Sequence, residues 1–268
     1  MTDYSPFVIA CDYDGTLTWS DNEVHPGNIE AVREFVQAGG TFCLATGKSP
    51  REIDPRLMEL ASASVFCSGG IVYDPQEGHT LTTWPLPADA IDLARRIYAE
   101  LPTRGVGLAC EDASYCLRYD PSIMPTEFVE RNLCMVGPDD LEALRGKVLS
   151  INTHGSEETR IAVEQMVDTG YPSCTHEVSF PQFVDITPRG VSKGTGLAYL
   201  RKQVFASKTF LAVGDNENDL EMIDEADVGF CMGNGANELK RHADVILPDR
   251  QHPCVRGVMD WMQENGIC

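Results

Sequence analysis

The first and last thirds of this chain alternate short apolar runs with helical patterns, a rhythm that few folds can satisfy. The runs 7–11, 41–45 and 64–67 read as strands, as do 209–213, 227–230 and 244–247. None shows the polar alternation of a half-exposed strand, so each is expected to be buried on both faces, as in a parallel sheet. Between them a helix is predicted from Pro26, with Ile29, Val32, Phe35 and Val36 on one face and Gly39-Gly40 past its end. Further helices are predicted over 51–60, 193–203, 218–224 and 255–264, with a short helical turn at 237–242. Strands alternating with helices predict an α/β fold with a doubly wound parallel, Rossmann-like sheet.

The middle of the chain has a different pattern. Helical stretches at 88–101 and 156–169 are interspersed with alternating strand patterns at 106–109, 114–118, 148–153 and 174–179. This predicts a separate α+β domain with a largely antiparallel sheet. Proline-rich punctuation at Trp84-Pro85-Leu86-Pro87 and Phe180-Pro181 marks its expected linkers. The expected division is a discontinuous core of residues 1–83 and 184–268 with an inserted domain of residues 84–183.

With 268 residues, 43% of them hydrophobic and 23% charged, the chain has the composition of a globular protein. The 41 acidic residues against 21 basic ones give a net charge of −20. That argues against nucleic acid or an anionic membrane as the main partner, since both need a basic face. It does not exclude a small anionic substrate, because a metal and a few cations can reverse the local potential. No apolar run is long enough to span a bilayer, and the polar, acidic first residues have no basic n-region, so no signal peptide is expected. None of the ten cysteines is spaced C-x-x-C, so neither a zinc ribbon nor a redox dithiol is indicated. Scattered thiols inside apolar runs are expected to be core hydrophobes in a cytoplasmic protein.

Four polar clusters fall where the predicted strands end or helices begin, and in an open parallel sheet ligands bind at the carboxyl edge of the strands. Asp12 and Asp14 follow the first strand in Asp12-Tyr13-Asp14-Gly15-Thr16 and project to the same side of an extended segment. Two adjacent carboxylates repel unless a cation or shared proton compensates, so the pair suggests a bound metal; a solvated acidic turn is the alternative. Thr46-Gly47-Lys48 follows the second strand, where a hydroxyl donates to a phosphoryl oxygen and glycine permits close approach, or where the pair merely caps a turn. Lys193 lies in the first turn of a helix, the wrong end for a cation, which a bound anion explains better than helix stability does. Gly214-Asp215-Asn216-Glu217-Asn218-Asp219 brings Asp215 and Asp219 to one helix start, as oxygen ligands for magnesium or as an acidic N-terminus.

In this order the clusters resemble the four motifs of the haloacid dehalogenase superfamily of phosphotransferases, across the whole predicted core. More narrowly, the chain resembles the Cof-like phosphatases with a type IIB cap. Met232-Gly233-Asn234 with Lys240, Ala243, Asp244 and Val245 is similar to the segment those proteins carry after their fourth motif. The short link between Asp14 and Pro26 leaves no room for a cap, whereas the span from Thr46 to Lys193 does. Two positions depart from the pattern: Lys48 stands where the family usually has Arg, and Ser68-Gly69-Gly70 where it has Asn-Gly-Ala. Lysine lacks the bidentate fork of arginine.

The resemblance implies a phosphatase acting on a small phosphorylated metabolite, a sugar phosphate at family level. Asp12 is implied to be the nucleophile that forms an aspartyl-phosphate, and Asp14 the general acid and base. Thr46, Gly47, Lys48, Lys193 and Asn218 are implied on the substrate side. Mg²⁺ is implied as cofactor, with Asp12, Asp14 (through its carbonyl), Asp215 and Asp219 around it. The alternatives are a phosphohexomutase of the same fold and a non-catalytic phosphate-binding regulator.

Overall fold

Every residue of the strand Phe7–Cys11 is buried, and the reason lies in what covers its two sides. Phe7, Ile9 and Cys11 pack with Ile29, Val32 and Phe35 of the helix Pro26–Gln37 and with Val255, Val258 and Met262 of the helix Cys254–Glu264. The alternate residues Val8 and Ala10 pack the opposite way, against Leu197, Leu200, Met222 and Ile223. Side chains that alternate between two apolar layers make a continuous hydrophobic run necessary. In this computed structural model, which describes residues 2–20, 23–124, 126–180 and 182–267, five strands form that parallel sheet. Their order is Val245–Ile246, Val228–Cys231, Thr209–Gly214, Phe7–Cys11, Thr41–Leu44. Because all five run the same way, Asp12, Thr46 and Asp215 emerge on one edge.

Ala45 bridges in parallel to Val65, which begins a three-stranded antiparallel sheet of Ser64–Phe66, Ile71–Asp74 and His79–Thr83. Its last two strands were not anticipated from the apolar pattern, being short and partly exposed. The helix expected over 51–60 is instead a 3₁₀ turn, Pro50–Glu52, and a separate helix, Pro55–Met58. Pro55 lacks the amide needed to continue a helix and holds Asp54 out of helical conformation, at φ −53 and ψ 122. The helix expected over 193–203 is α from Lys193 to Tyr199 and widens to π geometry over Leu200–Val204.

The inserted region folds around a six-stranded sheet. Its order is Leu133–Met135, Ser114–Arg118, Gly105–Cys110, Val148–His154, Phe183–Pro188, Cys174–Phe180, and only the first pairing is parallel. The helices Ala90–Glu100 and Glu157–Gly170 cover one face, burying Leu93, Ile97, Val163 and Val167 against Leu108, Ile151 and Ile186. The expected end of this region at residue 183 falls short, because Phe183–Pro188 pairs on both sides within the sheet and keeps the chain there to Pro188. Of the two expected linkers, Pro181 lies outside the described residues. The nine described cysteines are free, all buried except Cys134, which fits small core hydrophobes; Cys268 lies outside the described residues.

Candidate active site

Asp12 is the first residue past its strand, and its backbone N–H still donates to Val213 O at 2.9 Å, so the ladder itself fixes its position. Its side chain meets the Lys193 ammonium, whose Nζ lies 2.7 Å from Asp12 Oδ1 and 2.6 Å from Asp219 Oδ1. Asp12, Lys193 and Asp219 are 5%, 1% and 0% exposed. Ser192 caps the helix that starts at Lys193, accepting from Thr195 N–H. The lysine in the first turn, electrostatically misplaced by the helix alone, is explained by these two carboxylates. Asp219 Oδ2 accepts from the backbone N–H groups of Asp215 and Asn216 at 2.9 and 3.1 Å, folding the fourth-motif loop over itself.

Asp12, Asp215 and Asp219 each offer a carboxylate oxygen, all within 4.8 Å of one another. Burial first, then the neighbouring carboxylates, pushes Asp12 up to about 7 against the opposing pull of Lys193. Burial, Asp12 and Asp219 likewise push Asp215 up to about 8. Two buried carboxylates and one half-buried, facing one ammonium, leave an excess of negative charge that a divalent cation would neutralise. An all-oxygen donor set of this kind suits Mg²⁺. Gly15 presses on the same point: its φ is +82, and a Cβ there would stand 2.2 Å from Asp215 Oδ2.

The Asp14 carboxylate lies outside that cluster. It pairs with Lys48 at 2.9 Å, and Lys48 sits 5.8 Å from the centre of the Tyr13 ring. Burial opposes the charge on Lys48, but Asp14 and Glu52 together raise it above the ordinary lysine range. Thr46 is 1% exposed, and its Oγ1 accepts from Lys48 N–H at 3.1 Å, which leaves the hydroxyl proton to be donated elsewhere. Cys67 and Ser68 pin this loop from below, donating N–H to Lys48 O and Thr46 O at 3.0 and 3.1 Å. Both adopt left-handed backbone, φ 53 and 52, an uncommon conformation for residues with side chains. Gly69, at φ +98, lets the turn approach Ser192, whose carbonyl oxygen would lie 2.1 Å from a Cβ.

A cavity of about 670 Å³ opens here, lined by Asp12, Asp14, Thr46, Gly47, Lys48, Lys193, Asp215 and Asn218 from the core. Every site residue anticipated from the motifs therefore converges on one place, with Asp219 buried directly behind. Three participants carried no such signal. Asn234 Nδ2 donates to Gly15 O at 3.0 Å and lies 3.4 Å from Asp215 Oδ2. Asn216 donates to Ser179 O of the six-stranded sheet. Asp185 enters the cavity wall from that sheet. Asn234 was visible only as part of a family-like segment, whereas the other two depend on contacts between distant strands.

The parallel sheet, with a carboxylate at the tip of one strand bridged by lysine to an acidic loop on the next, defines a phosphoryl-transfer hydrolase. The sequence model for haloacid dehalogenase-like hydrolases matches residues 9–260, and the chain belongs to that family, among its Cof-like phosphatases. It is 26% identical over 248 residues to the 5-amino-6-(5-phospho-D-ribitylamino)uracil phosphatase YitU of Bacillus subtilis strain 168, covering 89% of this chain and 91% of that one. It is 26% identical over 261 residues to the pyridoxal phosphate phosphatase YbhA of Escherichia coli K12, covering 90% and 93%. Among solved structures it shares its fold with a haloacid dehalogenase-like hydrolase from Bacteroides thetaiotaomicron, at TM-score 0.78 and 22% identity over 94% of this chain and 98% of the other. A haloacid dehalogenase subclass IIB sugar phosphatase superposes at TM-score 0.80 and 20% identity, covering 97% and 99%. Among the described residues no helix is long and apolar enough to cross a membrane.

Proposed function

We propose that this protein is a Mg²⁺-dependent phosphatase that hydrolyses a small phosphate monoester through an aspartyl-phosphate on Asp12. The observation that carries the reading is the buried Asp12–Lys193–Asp219 bridge at the strand tips, with Asp215 in the same cluster. Lys193 orients Asp12 and favours its ionised form. A carboxylate oxygen of Asp12 forms a bond to phosphorus as the ester P–O bond breaks, and Asp14 gives its proton to the departing alkoxide. Asp14, now a carboxylate, takes a proton from water, whose oxygen displaces Asp12 and releases phosphate. Thr46 O–H, the Gly47-Lys48 turn, Asn218 and Lys193 surround the phosphoryl oxygens and offset charge in the transition state. Lys48, 2.9 Å from Asp14, pairs with the carboxylate that remains once the proton has gone to the alkoxide.

Asp12, Asp215 and the backbone carbonyl of Asp14 would hold Mg²⁺, with Asp219 supporting Asp215 through its backbone. Bound there, the ion would offset the negative charge of the carboxylates and of the phosphoryl oxygens. In this reading residues 1–83 and the chain after Pro188 form the catalytic core, and the region between is the cap that selects the leaving group. Free buried thiols suit a reducing cytoplasm. The sequence relatives act, by their names, on phosphorylated metabolites, which supports a substrate of that kind.

Asp12→Asn tests the mechanism. Phosphate release in Mg²⁺ is expected to vanish while the near-ultraviolet circular dichroism stays native. A rate within a few-fold of wild type would overturn the assignment of the nucleophile.

A further inference from the structure

The charged side chains that line the cavity have partners, with one exception. Lys193 is taken by Asp12 and Asp219, and Lys48 by Asp14. Glu52 accepts from the N–H and the hydroxyl of Ser49 at 2.9 and 2.6 Å. On the outer wall Asp185 accepts from Asn152 Nδ2 at 2.5 Å, and Arg104 pairs with Asp120 at 2.6 Å. Arg118 donates to the carbonyls of Tyr98, Leu101 and Thr103. Asp215 belongs to the carboxylate cluster and the cation it calls for. The exception is Arg250, which enters the cavity from the core side. Its guanidinium is half-buried and has no hydrogen bond, ion pair or ring contact among the described residues.

Arg250 is nonetheless held in place through its backbone. Its N–H donates to Asn234 Oδ1 at 2.7 Å, and Asn234 Nδ2 donates onward to Gly15 O at 3.0 Å. Gln251 braces the same loop, its Nε2 donating to Trp19 O and its carbonyl facing His25 Nε2, both at 3.2 Å. Behind the loop, Gly233 N–H donates to Pro248 O at 3.1 Å, and a Cβ on Gly233 would stand 2.9 Å from Asp249 N. Asp249 is the acid nearest to Arg250 in the chain, yet it is occupied elsewhere. Its Oδ1 accepts from Gln251 N–H at 3.1 Å and faces His252 Nδ1 at 3.3 Å. The fold thus fixes an arginine beside the Asp14-Gly15 turn and uses the neighbouring carboxylate for another purpose.

We propose that Arg250 is a specificity residue, whose guanidinium receives a second anionic group, carboxylate or phosphate, carried by the alcohol that leaves the phosphorus. The proposal rests on the phosphatase reading above and deepens it. Asp14 gives its proton to the alkoxide, so the alcohol departs beside Asp14 and Gly15, the side to which Asn234 ties Arg250. The phosphoryl group has Lys193, whereas a second anion in this acidic cavity meets Arg250 as the cation not already engaged. A planar guanidinium offers a carboxylate or phosphate two parallel N–H donors. Without that cation, an anionic leaving group would be desolvated among carboxylates and repelled.

The test uses the full chain in Mg²⁺ and two matched pairs of esters. Glycerol 3-phosphate with 3-phosphoglycerate tests a carboxylate, and fructose 6-phosphate with fructose 1,6-bisphosphate tests a second phosphate. Acetyl phosphate serves as a small reference without a second anionic group. In at least one pair, kcat/KM for the more anionic ester should exceed that of its counterpart about tenfold or more. The pair that shows the preference tells carboxylate from phosphate. Arg250→Gln should lower that preference about tenfold, mainly through KM, and Arg250→Lys, which keeps the charge and loses the fork, should lower it less. A merely structural role would slow every ester alike and leave the preference in place. Equal or better turnover of the less anionic ester in both pairs overturns the proposal, as does a preference that Arg250→Gln does not move. An equal loss on every ester also overturns it, by placing Arg250 on the transferred phosphoryl group. If no ester, acetyl phosphate included, is turned over, it is the phosphatase reading that fails, and the role of Arg250 falls with it.

Discussion

Lys193→Met is the most demanding perturbation of this site, because it removes one ammonium from between two buried carboxylates and keeps nearly the same volume. The contacts at 2.7 and 2.6 Å join side chains that are almost wholly buried. Deleting one partner of such a buried arrangement leaves uncompensated charge and typically costs about 3–5 kcal/mol. In chelator at pH 8, urea unfolding should show a loss of that size. Saturating Mg²⁺ should recover part of it, since the cation would take over the neutralising role for Asp12 and Asp215. Turnover should fall by a factor of about 10²–10³ or more, the size of effect seen when an electrostatic stabiliser of a transition state is removed. A variant with native-like stability in chelator and a rate within about threefold of wild type would refute the bridge as both structural and catalytic.

Three further outcomes are expected. Chelator should abolish phosphate release and Mg²⁺ restore it, with a rise in the thermal midpoint on adding Mg²⁺ that Asp215→Asn blunts; turnover that resists chelation would contradict the metal reading. Asp12 and Asp215 are held near 7 and 8 in the fold against an ordinary 3.8, so the folded metal-free protein binds protons that the unfolded chain has released. On account of these groups, stability of the metal-free protein should therefore rise as pH falls from about 8 towards 5, and Mg²⁺ should flatten or reverse that slope in urea titrations. Gly15→Ala forces a side chain to a positive φ, worth about 1–2 kcal/mol of strain, and against Asp215 Oδ2. It should weaken Mg²⁺ activation at least about tenfold, an effect read from the Mg²⁺ dependence of the rate, and unchanged dependence would show that Asp215 is not the contact that matters.

Much of the core was legible because its chemistry is local to strand ends. Asp12, Thr46 and Asp215 each follow a buried apolar run, and a parallel sheet must deliver all three to one edge. Lys193 announced itself by standing at the end of a helix that repels it. The errors came where a local pattern was weak or overridden. The helix over 51–60 broke at Pro55, whose missing amide outweighed the apolar spacing. The strands Ile71–Asp74 and His79–Thr83 escaped because each is short and partly exposed and neither carries a long continuous apolar run.

The chain by itself determined the fold class, the four clusters and the excess of carboxylate over ammonium that calls for a cation. Tertiary structure alone decided that Lys193 bridges Asp12 to Asp219, that Asp14 turns to Lys48 rather than to the carboxylate cluster, and that Phe183–Pro188 stays within the inserted sheet. It also decided the outer wall of the cavity. Gly107, Asn152 and Asp185 lie on three strands, and only antiparallel register sets them side by side. Spacing along the chain reports which way a side chain points on its own strand, but register is a relation between strands, and it exists only once they have paired.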